Sequence, residues 1–214
     1  MDDLTQIPVR DHMDDPNIIW RHSKPDYELV NKKYMAERTR NHAPGSVERI
    51  VENLVKTWEM ESSHKMSSED WKTVNLEKYE FIVNGGKPLN VADNIEMGNY
   101  NMLLSECPLY NKEGQNNDTS HAVFKEAFPE GFAWELLEVL SGQPKVTFTW
   151  RHWANWSGPY RGNEPTNEPI EMTGCCIATV DDALKIEKLE IFYDPNPMMA
   201  TLTKFKTSNC PVAK

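Results

Sequence analysis

The segment from residue 146 to residue 194 constrains the fold most, because it alternates apolar and polar residues in three successive runs. Alternation with a period of two belongs to β-strands that have one buried face. The runs PIEMTGCCIATV and KIEKLEIFYDP follow a first run, VTFTWRHWANWSG, whose one face carries Val146, Phe148, Trp150, His152, Ala154 and Trp156. A face that mixes a histidine with tryptophans suits a pocket better than a dry core. The segment therefore predicts three long strands that line a small-molecule site.

The composition narrows the classes of function. A chain of 214 residues can form one domain with a substantial core, and it is too short for two full-sized domains. Its formal charge of −10, with acids and bases interleaved, leaves no basic stripe for a nucleic acid. No apolar run reaches the roughly 18 residues of a membrane span, and the acidic start MDDLTQIPVRDHMDD predicts no signal peptide. The four cysteines show neither zinc spacing nor a disulfide framework, so we expect reduced thiols and a cytoplasmic location.

The order of the predicted elements indicates an α+β fold. Residues 1–22 form a polar arm, residues 23–206 a single domain and residues 207–214 a C-terminal tail. Helices are predicted from about 25 to 40, from Ser46 onward along an apolar stripe that ends at Trp58, and from about 90 to 104. Strands are predicted at about 79–83, 120–128, 132–141, 145–157, 168–180 and 185–194, with short turns that favour antiparallel pairing. Helices followed by a continuous antiparallel sheet predict helices packed on one face of a curved sheet.

The second half of the chain resembles the SnoaL-like polyketide cyclases of the nuclear-transport-factor-2-like superfamily. That family's pattern is H-x-G-x-F-x-G-x-P-P-T-G-K, a strand, D-G-K-I, and a strand that ends in Tyr/Phe-Asp. The residues at matching places are Gly158, Tyr160, Gly162, Pro165, Thr166, Lys185, Ile186, Tyr193 and Asp194. The span from about 25 to 205 is closest to the plant-type "pathogen-related protein" branch, through phrases such as LVKTWEMESSHK, KYEFIVNGGKPL and FTWRHW. The resemblance implies a cone-shaped fold in which N-terminal helices pack on a curved antiparallel sheet.

Three departures from the cyclase pattern affect the expected chemistry. Trp156 stands in place of the pattern's first histidine, Leu184 in place of the glycine of D-G-K-I, and Ile191 in place of an acid in many cyclases. The cyclase mechanism therefore does not transfer directly, and any catalysis must use other residues.

The candidate catalytic residues are His152, Glu61, Glu135 and Tyr193. His152 shares strand parity with Trp150, and a neutral imidazole there could act as an acid or base. Glu61 or Glu135 would be its carboxylate partner, and Tyr193 would donate a hydrogen bond to developing enolate charge. The spacing of Glu61 and His64 occurs in carboxylate-bridged metal sites, but the second such motif is missing, so we expect no metal and no cofactor. The candidate substrate-binding residues are Trp58, Tyr100, Phe148, Trp150, Trp156 and Ile191.

These features favour a cofactor-independent cyclase or isomerase that acts on a hydrophobic, aromatic or polyketide-type metabolite in an enclosed pocket. Two alternatives stay open, a non-catalytic small-molecule binder linked to defence or stress, and a dimeric interaction module with a filled cone. A homodimer is expected because strand parity places Trp153 on the outer face of the sheet, where an exposed tryptophan would mark a partner surface. What separates the three alternatives is whether inward polar side chains converge on an open cavity.

Overall fold

The computed structural model describes residues 7–205 of the chain. The helices are α1 (Glu28–Glu37), α2 (Val47–His64), α3 (Val91–Leu103), α4 (Asn117–Ala127) and α5 (Asn196–Leu202), with a 3-10 turn at Ser68–Asp70. The strands are β1 (Glu80–Val83), β2 (Ala133–Ser141), β3 (Lys145–Asn155), β4 (Pro169–Val180) and β5 (Ile186–Tyr193). The α+β class is therefore confirmed. The predicted tail over residues 207–214 lies outside the described residues.

The five strands form one mixed, mostly antiparallel sheet in the order β1-β5-β4-β3-β2. Strands β2 to β5 pair antiparallel in sequence order, as their short connections predict. Strand β1 comes from the helical half of the chain and pairs parallel to β5 at the far edge. The antiparallel part of the sheet is thus the part that the alternation predicted.

The prediction of a strand over residues 120–128 is wrong, because this segment forms α4. The side chain of Asn116 accepts a hydrogen bond from Thr119 N at 3.0 Å, and Thr119 Oγ1 accepts one from Asn116 N at 2.9 Å. This reciprocal cap starts a helix. The buried residues Ser120, Phe124 and Ala127 then recur at four and three positions, which is helical spacing.

Strand pairing assigns each side chain of β3 to one face of the sheet. His152 lies opposite Trp134 of β2 and Met172 of β4, on the inner face that packs against α2 and holds the main core. Arg151 and Trp153 point to the outer face. The predicted grouping of the inward residues of β3 follows this pairing.

Helix α1 covers part of the outer face, so the prediction of an exposed Trp153 is wrong. Trp153 is 3% exposed, and its ring stacks on Tyr34 of α1 at 6.5 Å between centroids. Its indole N–H also donates to Glu37 Oε2 at 2.6 Å. The homodimer stays a prediction, without the exposed tryptophan as its reason.

Helix α2 closes the inner face, and its Lys56 together with His42 of the preceding segment satisfies the free edge of β2. It begins at Ser46, whose side chain accepts a hydrogen bond from Arg49 N at 3.2 Å. Lys56 Nζ donates to the carbonyl of Trp134 at 2.7 Å, and His42 Nε2 lies 2.7 Å from the carbonyl of Leu136. These contacts occupy backbone groups that an edge strand would otherwise expose.

Residues 7–22 run along the side of α2 that faces away from the sheet. The backbone N–H of Val9 donates to Asn53 Oδ1 at 2.9 Å, and that of Asp11 donates to Thr57 Oγ1 at 3.1 Å. Farther along, Trp20 forms a β-bridge with Lys65, just beyond the end of α2. We call residues 7–22 the N-terminal strap.

Candidate functional site

The predicted aromatic pocket is a packed core. Trp58, Trp156 and Ile191 are between 0% and 6% exposed. The Trp58 ring stacks on Phe81 at 5.8 Å, and its indole N–H donates to the Tyr79 hydroxyl at 3.0 Å. Trp58 is thus packed and hydrogen-bonded, and Trp156 and Ile191 are buried beside the other core side chains, so these residues serve the core of the domain.

Trp150 fills the centre of the sheet's inner face because its neighbour on β4 is a glycine. A Cβ built on Gly174 would meet Cζ2 of the Trp150 indole and would lie 2.7 Å from the carbonyl oxygen of Phe192. The indole therefore lies directly over the β4 backbone and reaches toward Tyr193 on β5, at 5.7 Å between ring centroids. Trp150 and Gly174 together separate the two ends of the inner face.

An apolar cavity of about 230 Å³ lies at one of these ends, between the first half of α2 and the sheet. Helix α2 contributes Val47, Ile50, Val51, Leu54 and Val55. The sheet and its turns contribute Gly142, Gln143, Val146, Phe148, Ala178, Val180, Leu184, Ile186 and Leu189. Of the six predicted substrate-binding residues, only Phe148 lines this cavity.

The lining of the cavity is almost entirely aliphatic. Its single aromatic ring is Phe148, and its single polar side chain is Gln143, whose amide N–H donates to the carbonyl of Asp181 at 3.1 Å. Val47 and Ile50 at the rim are 47% and 45% exposed. The cavity can therefore exclude water from an apolar guest, but its lining offers no acid or base.

His152 lies at the other end of β3. It is four residues from Phe148, roughly 14 Å along the strand at about 3.4 Å per residue. The half-buried ring packs against Phe132 at 4.8 Å and Trp150 at 6.4 Å. Burial, and secondarily the Lys56 cation, lowers the pKa of His152 to about 3. The imidazole is thus neutral at pH 7, and no hydrogen-bond partner is recorded for it within residues 7–205.

Glu61 is a fully buried acid whose carboxylate is occupied by four donors. It accepts hydrogen bonds from Lys65 Nζ at 2.9 Å, from the backbone N–H groups of Lys72 and Thr73, and from Thr73 Oγ1 at 2.6 Å. These bonds attach the segment after α2 to the end of that helix. They leave the carboxylate no exposed oxygen with which to serve His152.

Glu135 faces the outer side of the sheet, opposite to His152. It pairs with Arg151 across β2 and β3, and Arg151 Nη1 lies 3.0 Å from its Oε1. The backbone N–H groups of Thr39 and Arg40 also donate to Glu135 Oε2. The structure therefore separates this acid from the proposed base by the sheet itself.

The two candidate tyrosines are held by the core. The Tyr193 hydroxyl donates to the carbonyl of Leu103 at 2.9 Å, and Tyr100 stacks on Phe124 at 4.1 Å. Burial raises the pKa of both hydroxyls above the usual value for tyrosine. The predicted catalytic groups His152, Glu61, Glu135 and Tyr193 do not converge on one space.

The sequence reasoning missed most of the cavity residues. The apolar stripe of α2 predicts a buried face, but such a face does not show which of its residues line a cavity and which fill the core. The turn that carries Leu184 gave a further signal, because a leucine stands where the family pattern has a glycine. In the structure Leu184 has a φ of 62°, in the left-handed region that favours glycine, and its side chain lines the cavity.

The chain is similar to known proteins in its fold and in its sequence. No protein-family model matches it. In fold it is similar to a candidate SnoaL-like polyketide cyclase from a Jannaschia species, at 14% identity and a TM-score of 0.45, covering 77% of this chain and 97% of the other. It is also similar to IdmH, a candidate polyketide cyclase from Streptomyces antibioticus, at 16% identity and a TM-score of 0.43, covering 63% and 86%.

None of the helices in the described part of the chain is long and apolar enough to cross a membrane.

In sequence, the chain is 40% identical over 209 residues to the pathogen-related protein of barley (Hordeum vulgare), covering 92% of this chain and 89% of the relative. The predicted resemblance to this branch is thereby confirmed, and the chain belongs to the family of the barley pathogen-related protein.

Proposed function

We propose that this protein binds a small, neutral, aliphatic molecule in the cavity between α2 and the sheet. The observation that carries the proposal is the lining, which holds aliphatic side chains and no titratable group. A buried charge without a partner would cost several kcal/mol, so the cavity disfavours carboxylates and amines. An interaction module would need no such cavity, so the open space favours a binder over that alternative.

The size of the cavity limits the guest. At about 30 Å³ for each water-sized group, 230 Å³ holds roughly eight such groups. Each methylene buried from water contributes about 0.8 kcal/mol, close to a fourfold gain in affinity. We therefore expect affinity to increase with chain length until the guest fills the cavity.

Leu184 supports a binding role for this end of the molecule. A leucine at a φ of 62° carries backbone strain of roughly 1 kcal/mol or more, which a glycine would relieve. Strain of this kind persists where the side chain has a use, and this side chain closes one side of the cavity.

A second candidate is acid–base catalysis by His152, as a cyclase or isomerase would need. The observation in its favour is a neutral, half-buried imidazole among aromatic rings, close to Lys56, whose pKa burial lowers to about 7. Against it, Trp150 separates His152 from the cavity, and neither Glu61 nor Glu135 faces it. This candidate requires a ligand that reaches the His152 ring.

Calorimetric titration with a series of normal alcohols from hexanol to decanol tests the binding proposal. We expect affinity to increase about fourfold per methylene up to roughly eight carbons and then to level off. Ala178→Leu should weaken octanol binding at least tenfold, because the added side chain fills the cavity.

The matched control is Thr179→Leu, which adds a leucine at the next residue of β4, on the other face of the sheet. Thr179→Leu and His152→Gln should both bind octanol like the wild type. Absence of binding at every chain length, or equal loss in Ala178→Leu and Thr179→Leu, would refute the proposal.

A further inference from the structure

Three histidines from three different elements meet at the end of α2 that is far from the cavity. His22 lies at the end of the N-terminal strap, His64 is the last residue of α2, and His121 lies on α4. The ring centroid of His121 is 5.5 Å from that of His22 and 5.4 Å from that of His64. Within residues 7–205, no group of three or more His, Cys, Asp or Glu side chains is placed to hold a metal ion. The property that the three side chains share is that an imidazole can take up a proton between neutral and acidic pH.

The strap is fastened to the body of the molecule beside these rings. The backbone N–H of Arg21 donates to the carbonyl of His64 at 2.8 Å, and that of Met66 donates to the carbonyl of Ile19 at 3.0 Å. The rings of Tyr27 and His64 form a T-shaped pair, with 6.1 Å between their centroids. His64 is thus enclosed by the strap, by Tyr27 and by α4.

The charged groups around the cluster are mostly cationic. His64 faces His22, Lys125 and Arg10, and His121 faces His64, His22 and Lys125. Arg21 lies beside His22, since both contact Asp118. The opposing anions are Glu59, which favours a charged His121, and Asp118.

Protonation of the two inner rings would therefore add charge to a site that already holds an excess of cations. Asp118 lies 3.6 Å from His22 Nε2, and His22 is exposed at the surface. The driving groups are His64 and His121, which lie farther from solvent.

We propose that the N-terminal strap is a pH-sensitive element, fastened to α2 at neutral pH and released as His64 and His121 take up protons. Release moves the strap away from both rings, exposes them to water and relieves the repulsion among the histidines, Arg10 and Lys125. The proposal is independent of the ligand site, which lies at the other end of α2.

The direction of the effect follows from proton linkage. Burial first, and neighbouring cations second, lower the pKa of both His64 and His121 to about 4 in the fastened state, from an ordinary value near 6.5. A freed strap lets the rings bind protons near pH 6.5, so the released state gains protons first as the pH falls. Each histidine therefore favours release by up to about tenfold for each pH unit between about 6.5 and 4.

Hydrogen exchange of single backbone amides, measured by NMR at pH 7 and pH 5 and corrected for intrinsic exchange rates, tests the proposal. In the wild type, the protection of the Arg21 and Met66 amides should fall at least tenfold between these pH values. The amide of Phe148 in β3 serves as the reference and should change far less. His64→Gln/His121→Gln, which cannot titrate at the two rings, should reduce the fall to less than threefold.

The matched control is His12→Gln, since His12 is exposed on the same strap and lies outside the cluster. It should show the same fall as the wild type. Equal protection at both pH values in the wild type, or an equal fall in the double variant, would overturn the proposal. If the double variant does not fold, NMR titration of the wild-type imidazoles decides, because a pKa near 6.5 at both rings with the strap still protected would contradict it.

Discussion

Leu184 combines a departure from the polyketide-cyclase sequence pattern with a positive φ and a place in the cavity wall. The polyketide-cyclase pattern has a glycine at this position, and a glycine adopts a φ of 62° without steric strain. The leucine adds a side chain that lines the cavity and is 38% exposed. A backbone free of strain and a side chain that lines the cavity are therefore separate requirements at Leu184, and a substitution can distinguish them.

Replacing Leu184 with glycine tests this separation. Leu184→Gly should leave the free energy of unfolding unchanged or raise it by up to about 1 kcal/mol, because it relieves the strained φ. Octanol affinity should fall at least threefold, because part of the cavity wall is removed. The two quantities are measured by denaturant titration and calorimetry on the same preparation. A clear loss of stability with unchanged affinity would show that Leu184 serves the fold alone.

Single residues also show which features could be predicted from the sequence and which could not. Strand parity correctly grouped His152 with Trp150 on the inner face, because β3 pairs regularly with β4 along its whole length. A register shift between Leu136 and Glu138 interrupts the alternation of β2, so strand parity alone could not show on which face Glu135 lies. The partners of Glu61 lie on a segment whose position depends on tertiary packing, so its structural role was not visible in the sequence.

At the scale of secondary-structure elements, strong periodicity gave the right assignments. The eighteen residues of α2 and the antiparallel run from β2 to β5 lie close to their predicted bounds. Helix α4 was taken for a strand because its cap, formed by the reciprocal bonds of Asn116 and Thr119, was not recognised. The parallel pairing of β1 with β5 brings together residues about 108 positions apart, for which no local pattern exists.

The contact between β3 and β4 at Gly174 supports a prediction of its own. Gly174→Ala should lower the free energy of unfolding by about 1–3 kcal/mol, because the new methyl group overlaps the Trp150 indole and the β4 backbone cannot withdraw. Denaturant titration measures the change. Gly142→Ala is the control, since a Cβ there meets no atom within 4 Å, and it should change stability by less than about 0.5 kcal/mol. Equal effects in the two variants would mean that Trp150 does not lie over Gly174.

At the scale of the whole molecule, the middle of the cone is packed differently from the end beside the first half of α2. Aromatic side chains pack the middle solidly around Trp58, Trp150 and Trp156, while aliphatic side chains leave space beside the first half of α2. The sequence indicated a pocket on this sheet, but it placed the pocket among the aromatic residues. The position of a cavity depends on how side chains pack in three dimensions. Here Gly174 leaves the space that the Trp150 indole fills at the centre of the sheet.

We expect a bound ligand to occupy the aliphatic end of the molecule and to stay away from His152. Intermolecular NOEs between bound octanol and the protein test it most directly, because they report which protons lie within about 5 Å of each other. We expect contacts to the methyl groups of Ile50, Ala178 and Val180 and none to the His152 ring. Contacts to the His152 imidazole or the Trp150 indole instead would contradict the binding proposal and favour the catalytic candidate.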